Sequence, residues 1–356
     1  MATVSGAADR LYQMISGFRV TQMVRTAALL GICDALHGGP REAGSLATEV
    51  HAHPGLLRRL TRCLAGLGLL TEAADGRFSN TPVGQLLRKD VPGSMRNAAI
   101  ALPADANWEA WARLPDGVIN GTAPFELAHG RPMWEKLAAE PEAAARFNAF
   151  MAAQTATFVP QLLEVFDFSK CARVVDVGGG NGALIAGVLA AHPSLRGMLF
   201  DVDAGLAGAE AYLRDHGVGD RCELKAGDFF KSVPEGGDAY LLKLILHDWD
   251  DARATEILKT CRRAMKPGAH LVVIDYVLPE RAVEGPREGL ALVMDLHMFV
   301  LFGARERTEK EIGTMLRAPG FRHDRVAPSP PQATPGGPGG WARPGVRGRS
   351  WGGGSG

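Results

Sequence analysis

The run LILHDWDD (Leu244 to Asp251) places a histidine between an apolar stretch and a cluster of acids, well downstream of a glycine-rich turn, VVDVGGGNG (Val174 to Gly182). Between the two stand Asp201, which ends the apolar run MLFDVD, and Asp228-Phe229 within GDFF. Glycines let the backbone approach a ligand with no Cβ in the way, and a helix starting there offers unpaired N–H groups. Gly178, Gly180 and Ala183 satisfy the loose dinucleotide pattern G-x-G-x-x-A, so a nicotinamide oxidoreductase is one candidate. Asp176 weighs against it, because an acid two residues before the first glycine faces a pyrophosphate with like charge, whereas it suits an amino-acid ammonium. Asp201 can accept both hydroxyls of a ribose, and Asp228 can accept from an exocyclic amine while an aromatic ring packs on the base. Singly, each has a plainer reading: a helix cap for Asp201, an ordinary turn for GDFF, a structural histidine. In this order they describe a proton removed beside a bound nucleotide-like cofactor. His247 can take that proton near neutral pH if a carboxylate orients its second nitrogen, and Asp248, Asp275 and Glu306 are the candidates.

The elements that must position these residues begin near Arg173. RVVDVG, RGMLFDV, CELKAG, AYLLKLIL and AHLVVIDYV are short apolar runs that alternate with helical patterns, including Ala183 to Ala191 and Asp251 to Met265. The alternation predicts an α/β fold with a parallel, doubly wound sheet whose ligands lie beyond the carboxyl ends of the strands. Upstream, residues 101–168 read as a helical connector carrying Trp108, Trp111, Phe125, Trp134, Phe147, Phe150, Met151 and Phe158, most of them core and some a candidate pocket wall.

Residues 1–100 predict a separate helical domain. A helix from about Ala8 to Leu36 carries more apolar positions than one stripe needs, which points to burial against another domain or a second subunit. Ser45 is a candidate cap for the next helix, Pro54 opens another, and GLLTEAADGRFSNTP alternates as a hairpin turning at Asp75-Gly76. Two helices and a hairpin outline a winged helix. DNA binding through Arg58, Arg59, Arg62, Arg88 and Lys89 is disfavoured because acids dilute the cluster and fold does not fix function. Lys+Arg and Asp+Glu are both 39, so no net field favours nucleic acid or an anionic membrane. No secretion signal or membrane-length apolar run is present, and Cys33, Cys63, Cys171, Cys222 and Cys261 lie far apart without metal spacing. A cytoplasmic protein is expected.

With these motifs in hand, the chain from about residue 10 to 325 resembles the S-adenosylmethionine-dependent small-molecule O-methyltransferases, the family of plant caffeate and flavonoid enzymes and of bacterial polyketide and antibiotic-tailoring enzymes. The order VVDVGGGNG, FDVD, GDFF, LKLILHDWDD, ERTEKE carries the likeness. It implies a homodimer with an N-terminal winged-helix dimerisation domain and a class I methyltransferase catalytic domain at 169–326, acting on a phenolic hydroxyl of a small aromatic acceptor. Carried over by motif, Asp176, Gly178 and Gly180 would hold the methionyl part of the cofactor and Asp201 the ribose. Asp228 and Phe229 would hold the adenine, with Lys243 and Trp249 beside them. His247 would be the general base, positioned by Glu306, with Asp275 at the place of a second carboxylate. Phe147, Met151, Asp295, Met298 and Phe299 fall where acceptor-pocket residues lie. This class needs no metal, and S-adenosylhomocysteine would be the product.

Two departures matter. Relatives in the family can be diverted to hydroxylation or decarboxylation, and a regulator built on the winged helix is a further alternative. The family also ends with two antiparallel strands. GFRHDRV (Gly320 to Val326) fits the first, while residues 327–356, rich in Pro, Gly, Arg and Ser, predict disorder in place of the second and point to a frameshift.

Overall fold

The computed structural model describes residues 4–282, 285–322, 327–328 and 341–347. They form two compact units, Met1–Trp108 and Glu109–Gly356. In the first, helix α1 (Val4–Leu30) stops before the predicted Leu36, because Gly31 enters the left-handed region at φ +67° and only a short turn, Ile32–Ala35, follows. Then come β1 (Arg41–Glu42), α2 (Ala43–Glu49), α3 (Pro54–Gly66), β2 (Leu70–Glu72) and β3 (Arg77–Asn80), with antiparallel strand order β1-β3-β2. Pro54 opens α3 as predicted, and His53 caps it by accepting the Leu56 N–H at Nδ1. Ser45 does not cap α2. It lies inside that helix, where its hydroxyl accepts from Arg41, because the extended residue Glu42 already occupies the cap position. Ile32, Leu46, Leu57, Leu64, Leu70 and Phe78 form the core of this unit, whereas α1 leaves Leu11, Tyr12, Met14, Ile15 and Phe18 more than half exposed.

The second unit carries a long helix, α4 (Pro141–Val165), and then the alternating set. This runs β4 (Arg173–Val177), α5 (Ala183–Ala191), β5 (Arg196–Asp201), α6 (Ala209–Asp215), β6 (Cys222–Ala226), β7 (Ala239–Lys243), α7 (Asp251–Ala264) and β8 (His270–Ile274). Beyond it lie β9 (Val277–Leu278), α8 (Pro286–Phe302), β10 (Arg307–Thr308), α9 (Glu309–Arg317), β11 (Ala327–Pro328) and β12 (Trp341–Arg347). The main sheet has the order β11-β12-β8-β7-β4-β5-β6, with every pair from β8 to β6 parallel. The predicted doubly wound sheet is therefore present. Helices cover both faces, so Val174, Val175 and Val177 are all fully buried, each contributing about 1.5–3 kcal/mol. Strand order reverses between β4 and β7, and the crevice at that switch point is where such sheets bind ligands.

The closing strands correct the expectation for the tail. Trp341–Arg347 pairs antiparallel with β8, and Ala327–Pro328 pairs with it in turn. The edge of β8 offers a row of unpaired N–H and C=O groups that an extended backbone satisfies whatever its side chains, so side-chain pattern is a poor guide there. Pro344 has no N–H to give, and the register shifts between Arg343 and Val346. Most of GFRHDRV and the remainder of 327–356 lie outside the described residues. Among the described residues no helix is long and apolar enough to cross a membrane.

Candidate active site

The chain leaves β4 after Val177 and turns through Gly178 (φ +73°) and Gly180 (φ +57°) into α5. A Cβ on Gly178 would stand 2.5 Å from Ile245 Cδ1 and 3.6 Å from the Phe229 ring, which shows how closely the turn meets the segments after β6 and β7. Asp176 is 1% exposed, and its Oδ2 has no hydrogen-bond partner among the described residues. Burial raises its pKa to about 7, while Lys243 at the end of β7, itself pushed down to about 8 by burial, opposes that rise. Asp201 ends β5 as predicted. Its two oxygens accept the Gly180 N–H at 2.8 Å and the Val202 N–H at 2.7 Å, which fixes the glycine turn to the neighbouring strand and leaves lone pairs free. Asp228 accepts the Phe230 N–H at 2.9 Å. Trp249 meets the Phe230 ring edge-on at 4.8 Å and the Phe229 ring at 6.1 Å, and the Arg253 guanidinium lies 3.6 Å above Phe230.

Past β7 the chain bends sharply. Leu244 sits at φ +53°, a conformation costing a leucine about 1–3 kcal/mol, and its N–H bonds Ile274 O at 2.8 Å. The bend delivers a 3-10 turn, Leu246–Asp248, that carries His247 at 6% exposure. His247 Nδ1 lies 2.7 Å from Glu306 Oε1. Of the three candidate carboxylates, Glu306 is the one that meets Nδ1. Asp248 instead lies 3.4 Å from Nε2. Asp275 directly follows β8 and lines a narrow crevice together with His247 and Glu306. Burial alone would lower the pKa of His247, but Glu306, Asp248 and Asp275 more than offset it, so the imidazole is held well above its ordinary value. Burial raises Asp248 to about 7 and raises Glu306 as well.

Other predicted residues spread along the helices. Asp295 Oδ1 accepts the Glu306 N–H at 2.8 Å, so this carboxylate braces the orienting residue. Met298 is 3% exposed, and Phe299, one residue on along α8, is half-buried. Phe147 meets Trp134 edge-on at 5.9 Å, and Trp134 packs at 5.1 Å on Phe302 of α8, which ties α4 to that helix. Met151, one turn beyond Phe147 on α4, is half-buried. Among the described residues no group of His, Cys, Asp and Glu is arranged to hold a metal ion.

Sequence reasoning missed two functional neighbours. Arg307, 3% exposed, donates from Nη1 to Leu246 O at 2.8 Å, from Nη2 to Trp249 O at 2.7 Å and from Nε to Asp251 Oδ1 at 2.8 Å. It clamps the turn that carries His247, and its only sequence signal was membership of ERTEKE. His297 accepts the Trp111 Nε1–H at Nδ1 (3.2 Å), and burial with the charge of His247 lowers its pKa to about 4, so it stays neutral with its proton on Nε2.

The O-methyltransferase domain model matches residues 111–322, and the O-methyltransferase dimerisation domain model matches residues 12–90. A phenazine O-methyltransferase of Lysobacter antibioticus is 41% identical over 319 residues, covering 90% of this chain and 92% of the relative. An 8-amino-8-demethylriboflavin N,N-dimethyltransferase of Streptomyces davaonensis is 36% identical over 319 residues, covering 88% and 90%. Among solved structures, the O-methyltransferase NcsB1 from neocarzinostatin biosynthesis, in complex with S-adenosylmethionine and 2-hydroxy-5-methyl naphthoic acid, superposes with a TM-score of 0.76. It is 28% identical and covers 92% of this chain and 96% of that one. The chain therefore belongs to the O-methyltransferase family and is an S-adenosylmethionine-dependent methyltransferase.

Proposed function

We propose that this enzyme methylates a phenolic hydroxyl of an aromatic secondary metabolite, with His247 as general base and Glu306 as the residue that orients it. The observation that carries the reading is the buried 2.7 Å contact between His247 Nδ1 and Glu306 Oε1, set at the carboxyl end of β7 beside the glycine turn. With Nδ1 bound to the carboxylate, Nε2 is the nitrogen left to take a proton from the acceptor in the neutral form of the imidazole, a contribution of roughly 10²–10⁴ in rate, while the surrounding acids that raise its pKa stabilise the imidazolium once formed. When bound, S-adenosylmethionine supplies an electrophilic methyl group. The residues around the turn fit it. The buried, unpartnered Oδ2 of Asp176 suits its ammonium, the side-chain-free turn at Gly178 and Gly180, with open space at Gly180, suits its methionyl part, and Asp201 retains lone pairs for the ribose. Asp228, Phe229 and Trp249 offer an acceptor and ring faces for the adenine, with Lys243 at the strand end between them and Asp176. Asp275 adds negative charge behind the base, while Phe147, Met151, Met298 and Phe299 form the acceptor wall. Proximity and alignment of acceptor oxygen and methyl carbon can supply up to about 7–11 kcal/mol of the barrier. A homodimer formed through the exposed face of α1 is part of the same reading, supported by the dimerisation-domain match.

A second reading, methylation of an aromatic amine, is favoured by the riboflavin N,N-dimethyltransferase relative. Labelled S-adenosylmethionine offered with matched sets of phenols and aromatic amines separates the two. His247→Ala should cut phenol methylation about 10²-fold or more while S-adenosylhomocysteine binding, read by calorimetry, is retained. An unchanged rate removes His247 from the base role.

A further inference from the structure

Behind the His247–Glu306 pair lies a narrow crevice, lined by Leu246, Asp275, Tyr276, Ile312 and Met315 in addition to His247, Glu306 and Arg307. Two buried polar atoms of the lining residues stand out among those without a hydrogen-bond partner in the described residues. One is a donor, the Tyr276 hydroxyl, on a residue 2% exposed, and the other is an acceptor, Glu306 Oε2, on a residue 1% exposed. A buried polar group left unpaired is costly and rare, and two of complementary kind beside one crevice are a pair waiting to be made. The crevice itself has no room for a water-sized sphere. Strand register gives the third observation. β9 and β10 pair in parallel with Val277 opposite Arg307, so the residues immediately before them, Tyr276 and Glu306, stand next in line across the same ladder. Side chains at such positions project to the same side.

We propose that Tyr276 is a positioning residue whose hydroxyl donates to Glu306 Oε2, so that Tyr276, Glu306 and His247 form one hydrogen-bonded chain in which the phenol holds the carboxylate ionised and oriented. The charge of Glu306 already bears on the phenol, keeping it protonated and a donor, together with burial, which is the larger effect. Glu306 is faced by His247 from the turn after β7, by Asp275 directly after β8 and by Asp295 from α8, with Asp248 also within electrostatic reach. Three of these four are acids that favour protonation of Glu306, so a neutral donor at Oε2 has a clear task. The inference rests on the reading of Glu306 as the residue that orients the base, but its test does not depend on methyl transfer.

In enzyme labelled with carboxyl-¹³C glutamate and free of cofactor and acceptor, the Glu306 resonance is identified by its loss in Glu306→Gln. Tyr276→Phe should raise the pH at which that resonance titrates by about one unit or more, since a hydrogen bond to the ionised form favours it. Thermal unfolding separates this from a merely structural role. An unpartnered buried hydroxyl makes the Phe variant equally or more stable, whereas a donor to Glu306 makes it less stable. kcat should fall about tenfold in Tyr276→Phe, in line with one charge-assisted bond, and Tyr276→Phe should add no further loss in the Glu306→Gln background. An unshifted Glu306 titration, or losses that multiply in the double variant, overturns the proposal. An unchanged rate in His247→Ala with a shifted Glu306 titration would instead overturn the base assignment and leave the Tyr276–Glu306 bond standing.

Discussion

Arg307→Lys tests how His247, the proposed base, is held. The guanidinium reaches two backbone carbonyls of the His247 segment, Leu246 O and Trp249 O, and the carboxylate of Asp251. An ammonium is a point donor on a flexible stem and cannot span all three in the planar fork that arginine provides. Loss at Asp251 is cheap, because that side chain is 64% exposed and water replaces the partner. Loss at one of the carbonyls is not, since a buried group left unpaired costs about 1–3 kcal/mol and a bond to a charged donor is worth about 1.5–3 kcal/mol. Their total, about 2.5–6 kcal/mol, corresponds to a fall in Tm of about 5–24 °C for a unit of this size. The turn already carries Leu244 in a left-handed conformation, so slackening it lets the strain relax and moves His247. A displacement of about 1 Å can cost roughly 10²-fold in kcat. Differential scanning calorimetry and steady-state methyl transfer report the two quantities on one preparation. A lysine variant within about 1 °C of wild type, with kcat within about twofold, would show that the clamp is dispensable.

Gly178→Ala places a methyl group 2.5 Å from Ile245 at a positive φ and should weaken S-adenosylhomocysteine binding about tenfold or more; Gly180→Ala, with open space around its Cβ, should cost much less, and equal effects would refute the close-approach argument. The apo enzyme should lose stability as pH rises from 3.8 to about 7. Asp176 is raised from the first value to the second by burial, so its protonated form favours the folded state at low pH and that advantage disappears above the folded pKa. Asp176→Asn should flatten this part of a Tm–pH curve, leaving a residual slope from Asp248, which is also raised to about 7; an unaltered slope would count against it. Replacing Leu11, Ile15 and Phe18 of α1 together with glutamate should convert a dimer of 37.9 kDa chains into monomers by light scattering, and an unchanged mass would place the interface elsewhere.

The residues readable in advance were those whose meaning is local. A glycine turn after a buried strand, an acid at the end of the next strand and a histidine after the fourth are each set by the nearest few residues, so pattern alone located Gly178, Asp201 and His247. Arg307 and Tyr276 escaped because their roles arise from a two-residue parallel ladder between segments about thirty positions apart, and no periodicity signals such a short pairing. His297 escaped because its tautomer depends on Trp111, far away in the chain. Leu244 gave no sign of its left-handed backbone, since leucine is an unfavourable choice there and only the surrounding contacts impose it. In the tail, composition spoke for disorder, while the open edge of β8 dictated a strand at Trp341–Arg347.

The ladder between β9 and β10 has a thermodynamic consequence. Asp176, Asp201 and Lys243 sit on strands of the main sheet, whereas Arg307 reaches the site on a strand of two residues that Glu306 immediately precedes, held by side-chain bonds to Asp295, His247, Asp251 and the turn after β7. Short ladders open at lower free energy than the sheet they border, so the enzyme can pass through a subglobal opening in which the sheet is intact and the base has lost its partner. Thermal inactivation would then precede global unfolding, and amide exchange at Arg307 and Thr308 would report catalytic competence more faithfully than exchange in β4.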